Sequence, residues 1–289
     1  MSDALPLPPA RPFSEREFEF TEDDFRQLSA LAARLAGIHL SEAKRELVYA
    51  RLARRLRQLR LKSFAQYCRV LDREEPEELE AFVNAITTNH TSFFREPHHF
   101  EFLRREVLPA WAKANPVSTG RVLRVWCAGC STGEEPYTVA MTVRDALPGR
   151  EVSIVATDLD SNVLETGARG VYPAEKVSDL SESVRKRWFL KGQGRKAGLV
   201  RVNPRLQELI EFRQHNMILE RPPAGGAFDV IFCRNVVIYF DKATQAIVVD
   251  RFRSALRDGA YLMVGHSESL LYRAEGFELV GQSTYRWQA

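Results

Sequence analysis

Cysteine is scarce in this chain. The four residues, Cys68, Cys127, Cys130 and Cys233, are too few and too scattered for a disulfide framework. Cys127 and Cys130 have the spacing of half a zinc or redox site, but no second Cys or His pair at ligand spacing follows, so no metal is expected. Long apolar runs are missing too: none approaches the ~18 residues of a membrane span. The Pro-rich start, Met1 to Pro12, lacks a basic-then-apolar signal pattern. A cytoplasmic protein without membrane insertion is expected. Neither sign of charge dominates, since 41 basic against 38 acidic residues leave a net +3, which neither demands nor excludes nucleic acid. No Ser-His-Asp or Cys-His nucleophile pattern stands out, so the six histidines need no catalytic role. What is present, 289 residues at 45% hydrophobic and 27% charged, suits a globular protein with one large or two modest domains.

The pattern along the chain divides it. Residues 1–19 read as a disordered tail. From 20 to 112 the apolar repeats have helical spacing, with start signals at Thr21, Ser41, Ser63 and Pro76. Residues 113–120, containing Asn115-Pro116 and Ser118-Thr119-Gly120, read as a linker. From 121 to 289 strands and helices alternate: strands at 121–127, 152–157, 209–213, 228–233 and 260–265, helices at 134–147, 161–168 and 242–257. Phe277 to Gln288 alternates without a helix and predicts an antiparallel hairpin on the far sheet edge. Gly192 to Val202 interrupts the alternation and predicts a small β appendage at about 188–204, with 199–202 as a short edge strand. It is either a decorated surface loop or a docking edge.

The most informative run is Val122 to Tyr137, where an apolar strand breaks into a Gly-containing turn that opens onto a helix. Gly129 and Gly133 permit close backbone approach, while Ser131, Thr132, Glu134 and Glu135 supply polar atoms. The turn is neither the G-x-G-x-x-G of a pyrophosphate site nor a P-loop. Two acids at the helix start repel phosphate and suit a cation. S-adenosyl-L-methionine, with a sulfonium and an ammonium, fits. For this segment alone, an ordinary turn whose acids answer the helix dipole competes. The second strand ends in Asp158, roughly 20 residues on, where a doubly wound sheet places the carboxylate that receives ribose hydroxyls. The third strand, Phe228 to Cys233, runs into Arg234 to Phe240, so three strand ends converge on one crevice.

Four blocks in order, Thr87–Glu96 (TTNHTSFFRE), Cys127–Tyr137 (CAGCSTGEEPY), Ala156–Asp160 (ATDLD) and Phe232–Phe240 (FCRNVVIYF), resemble the chemotaxis receptor methyltransferase (CheR) family. The match covers nearly everything from about residue 20 onward. The resemblance implies an α/β, Rossmann-like class I methyltransferase domain, an all-helical N-terminal domain and a small inserted β subdomain. It implies methylation of glutamate side chains on methyl-accepting chemotaxis receptors, with S-adenosyl-L-homocysteine as product, and a monomer is expected. By resemblance, Asn89, Thr91 and Arg95 reach over the cofactor, and Glu135, with or without Glu134, holds its ammonium. Asp158 holds the ribose, and Asn216 and Met217 flank the adenine, Met217 replacing a Leu of relatives. Arg234 and Asn235 line the pocket, and Tyr239 faces the transferring methyl. A glutamate of ordinary pKa near 4.3 is ionised at pH 7, so no general base is needed. Arg95 can hold the incoming carboxylate and Tyr239 can orient it.

The substrate side has its own pattern. If residues 42–62 form one helix, Lys44, Arg51, Arg54, Arg55 and Lys62 share an arc of roughly 100° beside an apolar stripe of Val48, Leu52, Leu56 and Leu59. Such a face is either merely solvated or docks an acidic helical substrate through Arg51, Arg54 and Arg55. The resemblance also implies, in part of the family, docking of a receptor's C-terminal tail peptide on the β appendage. Two rivals remain. A nucleic-acid methyltransferase is disfavoured because Arg234 to Tyr239 lacks the Asn/Asp-Pro-Pro-aromatic motif. A cofactor-binding or receptor-docking module without turnover is disfavoured by intact Arg95 and Tyr239.

Overall fold

The computed structural model describes residues 16–268 and 275–289. Most of the expected tail lies outside the described residues, but its last residues are folded: Phe18 is buried and Glu19 bridges to Ser63.

Helix α1 (Glu22–Ala36) begins at Thr21, whose hydroxyl accepts the Asp24 amide while the Asp24 carboxylate accepts that of Thr21. This capping box satisfies two orphan donors at once. A 3₁₀ turn (Glu42–Lys44) leads into α2 (Arg45–Leu59), and α3 (Phe64–Leu71) and α4 (Pro76–Ile86) follow. Their apolar faces close on a core that includes Leu28, Leu52, Leu56, Phe64, Tyr67 and Phe82. Each such side chain contributes about 1.5–3 kcal/mol on burial.

The helical domain was expected to run to residue 112, and the packing places its end earlier. Helix α5 (His98–Phe102), a π-helical turn (Leu103–Val107) and α6 (Leu108–Ala114) run on without a break. Phe100, Leu103, Val107, Leu108 and Trp111 sit in one core with Leu123, Val125 and Met141 of the α/β domain. Helical periodicity reports an apolar face, not the body that buries it.

The rest of the chain runs β1 (Leu123–Ala128), α7 (Glu134–Ala146), β2 (Val152–Asp158), α8 (Ser161–Arg169), β3 (Val171–Pro173), α9 (Glu182–Trp188), β4 (Phe189–Lys191), β5 (Leu199–Val202) and α10 (Pro204–Gln207). It closes with β6 (Ile210–Gln214), β7 (Phe228–Cys233), α11 (Lys242–Ala255), β8 (Leu256–Val264), β9 (Phe277–Gly281) and β10 (Thr284–Trp287). The main sheet has the order β6-β2-β1-β7-β8-β10-β9. All pairs are parallel up to β8, and β10 returns antiparallel between β8 and β9, as the hairpin pattern anticipates. Every residue of β7 is buried, because helices cover both faces of a parallel sheet. α7 packs on one face through Tyr137, Val139 and Val143, and α11 on the other through Val248 and Phe252. The chain passes from β1 to β2 on one side and to β7 on the other, which opens a crevice at the carboxyl ends of β1, β2 and β7.

The appendage departs from expectation in two ways. Its sheet has the order β3-β5-β4, so residues 199–202 form the central strand and the edges belong to β3 and β4. It also begins at Val171, well before 188, because three residues ending in Pro are too short to show a strand pattern. It is not a loosely hung tab. Tyr172 and Phe189 each pack edge-on against Phe93 at 5.2 Å, and Trp188 and Val202 join the main core.

No described helix is long and apolar enough to cross a membrane. All four cysteines are free and buried. Burial pushes the thiols of Cys127, Cys130 and Cys233 well up, which keeps them protonated and unreactive.

Candidate active site

The crevice becomes a cleft because the helical domain is latched across it. On one side Thr87 Oγ1 and Asn89 Nδ2 donate to Asp160 Oδ2 at 3.0 and 2.7 Å, and Asn84 Nδ2 donates to Ser161 Oγ at 3.0 Å. On the other, the His39 amide donates to the Tyr239 carbonyl at 3.0 Å, and Asn216 Nδ2 to the Leu35 carbonyl at 2.7 Å. The walls of this cleft include Asn89, Thr91, Arg95, Glu135, Asp158, Asn216, Met217, Arg234, Asn235 and Tyr239. Ten of the residues expected around the cofactor and reacting groups therefore meet in one place, brought together from segments far apart in sequence.

Glu134 and Glu135 part company. They are neighbours on α7 and so point about 100° apart. Glu134 is fully buried beneath the appendage, where Lys176 Nζ lies 3.0 Å from Oε1 and Thr132 Oγ1 donates to Oε2 at 2.6 Å. It does not line the cleft, which corrects its assignment as a cofactor ligand. Glu135 does. Its Oε2 accepts from Arg234 Nη1 at 3.1 Å, while Oε1 is buried with no partner among the described residues. A buried carboxylate oxygen without a partner is an acceptor that an ammonium would satisfy. Gly133, at the start of the helix with φ of 95°, sets this turn, and a Cβ there would lie 2.9 Å from Gly167 Cα. Only glycine fits that combination.

Burial raises the Glu135 carboxyl to about 7 against the pull of Arg234. Cofactor affinity should therefore rise between about pH 6 and 8 as Glu135 ionises, and Glu135→Gln should flatten the profile; titration calorimetry across that range decides it. The stability effect has the opposite sign. A folded-state carboxyl raised above its unfolded value holds a proton that the unfolded chain has lost, so its contribution falls as pH climbs from about 4.5 towards 7.

Asp158 ends β2 at the floor of the cleft. Its Oδ2 accepts the Ser131 amide at 2.8 Å and its Oδ1 the Asp160 amide at 3.0 Å. Burial raises its pKa, opposed by these backbone bonds. Each oxygen keeps a second lone pair, so it can also accept a hydroxyl. Asn216 is differently committed: beyond its bond to Leu35, its Oδ1 accepts the Ile218 and Leu219 amides at 3.1 and 3.2 Å. Its side chain fastens the two domains, and Met217, 8% exposed, supplies the apolar wall.

The cleft walls also carry cationic side chains. Arg95 Nη1 donates to the His90 carbonyl at 2.8 Å, and among the described residues no other acceptor meets its fork. Lys44 Nζ sits 5.3 Å from the Tyr239 ring centroid. Arg51 reaches the cleft while donating to the Ile86 carbonyl and to Thr88 Oγ1 at 2.9 Å.

Residues 89–286 match the CheR methyltransferase SAM-binding domain, and residues 23–87 match the CheR methyltransferase all-alpha domain. This chain belongs to the CheR methyltransferase family. Its fold is that of a class I methyltransferase, and S-adenosyl-L-methionine is its cofactor. The chain is 45% identical over 279 residues to chemotaxis protein methyltransferase 2 of Pseudomonas aeruginosa, covering 96% of this chain and 97% of that one. It is 42% identical over 265 residues to the chemotaxis protein methyltransferases of Salmonella typhimurium and Escherichia coli, covering 90% of this chain and 88% and 89% of theirs. The family boundary at residue 88 agrees with the packing of α5 and α6 on the sheet.

In this CheR-family cleft Glu135, Asp158 and Met217 stand together in the walls. Behind them lies a network the sequence did not disclose. Arg234, 6% exposed, sits between Glu135 and Glu96, whose Oε2 lies 3.4 Å from Nη2, and donates to the Arg95 carbonyl. Glu96 Oε1 also receives Asn235 Nδ2 at 3.3 Å and faces His266 Nδ1 at 3.2 Å. Burial works against ionisation of Glu96, but His266, Arg234 and Asn235 outweigh it and hold its pKa below the usual value. Glu96, His98 and His99 also bring ligand atoms within 4.8 Å of one another. Glu96 is shared there with the Arg234 guanidinium, so the cluster adjoins the ion network.

Of the three arginines expected to dock substrate, one is engaged inward. Arg55 Nε donates to Glu78 Oε1 at 2.9 Å and its Nη2 to Oε2, with the Tyr67 hydroxyl on the same carboxylate at 2.9 Å. This corrects its reading as a free docking group. Arg54 is exposed and Arg51 lines the cleft.

Proposed function

We propose that this chain esterifies glutamate side chains on the cytoplasmic helical region of methyl-accepting chemotaxis receptors, as a cytoplasmic monomer serving sensory adaptation. The polarity of the cleft carries the reading. Glu135, one of whose carboxylate oxygens has no partner among the described residues, lines the cleft and is suited to a cation, and Arg95, Lys44 and Arg51 line the same cleft and are suited to an incoming carboxylate.

When bound, S-adenosyl-L-methionine supplies an electrophilic methyl that a carboxylate oxygen takes up in line as sulfur departs with the bonding pair. The protein's work is placement. Arg95 offers the free part of its planar fork to one carboxylate oxygen, leaving a lone pair of the other directed at the methyl. Tyr239 hydrogen-bonds and orients the same group. The latches hold the helical domain across the cleft, and a site with less water favours neutralisation of a cation by an anion. Mass spectrometry of a receptor fragment incubated with cofactor and enzyme tests the assignment. Methyl esters on glutamates are expected, and methyl groups confined to lysines or to nucleic acid would overturn it.

Docking is expected along the basic face of α2, now centred on Arg51 and Arg54. Arg54→Glu should raise the KM for receptor and weaken its salt dependence with stability unchanged within about 0.5 kcal/mol. Arg55→Glu should instead cost about 3–5 kcal/mol, because it leaves the 9%-exposed Glu78 side chain facing a like charge. Thermal melts and receptor kinetics on the two variants separate docking from packing, and a KM unmoved by Arg54→Glu would assign this face to solvent. A receptor tail peptide would add at an exposed edge of the β appendage, β3 or β4.

A further inference from the structure

The loop from Arg234 to Tyr239 gives Arg234, Asn235, Val236 and Tyr239 to the cleft walls, yet its backbone has little reason to hold its shape unaided. Asn235 has φ of 60°, in the left-handed region that a side chain disfavours. Such conformations persist where the surroundings over-determine them. Here one buried carboxylate receives the Asn235 amide itself, beside the side-chain contacts of Arg234 and Asn235. Glu268, 1% exposed, follows β8 and turns back under the loop. Its Oε2 accepts the Asn235 amide at 2.8 Å and the Gly265 amide at 2.6 Å, and its Oε1 accepts the Ile238 amide at 3.3 Å. A ring of backbone N–H groups around one anion is a nest, and burying the carboxylate is tolerable only because those donors satisfy it. A Cβ at Gly265 would press on the same contact, 2.7 Å from Asn235 Nδ2, 2.8 Å from Glu268 Oε2 and 3.0 Å from the Asn235 amide, so those groups would have to shift. The far end of the loop is fixed separately, by the His39 amide on the Tyr239 carbonyl and by Gln245 Nε2 on the carbonyls of Val237 and Phe240, both at 3.1 Å. Glu268 does not line the cleft.

We infer that Glu268 is a positioning residue for methyl transfer, acting through the backbone of the Arg234–Tyr239 loop to present Tyr239 to the incoming carboxylate. The inference rests on the methyl-transfer reading of the cleft. A glutamine at 268 keeps the size but turns one acceptor into a donor against the amides it should receive, so the loop must shift. A displacement near 1 Å at a reacting group can cost about 10²-fold in rate.

The test uses the full chain with labelled cofactor and a receptor fragment, comparing Glu268→Gln, Gly265→Ala, Tyr239→Phe and the double variant Glu268→Gln/Tyr239→Phe. Glu268→Gln is expected to lower kcat about 10²-fold while cofactor Kd, by calorimetry, moves less than about threefold. Gly265→Ala should reproduce that split by intruding on the same contact, and its kinetics decide the matter should Glu268→Gln fail to fold. If the carboxylate acts through Tyr239, the double variant should be no more than about threefold slower than Tyr239→Phe alone. A folded Glu268→Gln with wild-type kcat, equal losses in kcat and cofactor affinity, or fully multiplicative losses in the double variant would overturn the inference. Absence of any transfer by the unaltered chain would overturn the methyl-transfer reading itself, and this inference with it.

Discussion

Arg234→Ala should lose cofactor binding and lower stability by about 3–5 kcal/mol, because it removes one member of a buried charge network and leaves the others unpaired. The Arg234 side chain, 2% exposed, lies 3.1 Å from Glu135 and 3.4 Å from Glu96 and packs over the Phe100 ring at 5.3 Å. Without the guanidinium, two carboxylates would share a dry space. Glu135, already raised to about 7 by burial, would rise further and stay neutral at pH 7, so it could not pair with the cofactor's ammonium. Lysine should rescue poorly, since a point charge cannot bridge two carboxylates and the Arg95 carbonyl as a fork does. Denaturant unfolding and calorimetry on the two variants check this. A stable Arg234→Ala that still binds cofactor would mean that Glu135 does not hold the ammonium.

Arg95→Ala and Tyr239→Phe should each lower kcat by about 10²-fold or more while changing cofactor affinity far less. Both side chains line the cleft, and Arg95 keeps most of its donors free in the absence of substrate. A group that touches only the incoming carboxylate contributes only once that carboxylate is present. Steady-state kinetics with saturating cofactor, set beside calorimetry, separates the cases. Matched losses in binding and turnover would make these residues cofactor ligands.

The main sheet and its flanking helices were legible because buried strands and amphipathic helices repeat with different periods, and β1, β2, β7 and α7 fall close to where those periods change. The glycines and acids after β1 announced the site. What stayed hidden depends on which residues meet in space. The helix from His98 to Ala114 shows an apolar face but not that the sheet buries it. Nothing in the adjacent letters Glu134 and Glu135 tells which faces Lys176 and which the cleft. Arg54 and Arg55 differ in the same way, one in water and one on Glu78. Glu96 and Glu268 lie in stretches without periodicity, and their work is done on amides and a guanidinium contributed by distant segments. The placement of 199–202 at an edge failed because a central strand of a three-stranded sheet has the same short alternating sequence as an edge strand.

The most direct measurement is transfer of label from methyl-labelled S-adenosyl-L-methionine to a receptor signalling fragment, followed by treatment with base. The full chain should label the receptor, base should release the label as methanol, and replacing the receptor's glutamates with alanine should abolish incorporation. Label that survives base, or that enters the glutamate-free receptor equally well, would contradict carboxylate methylation.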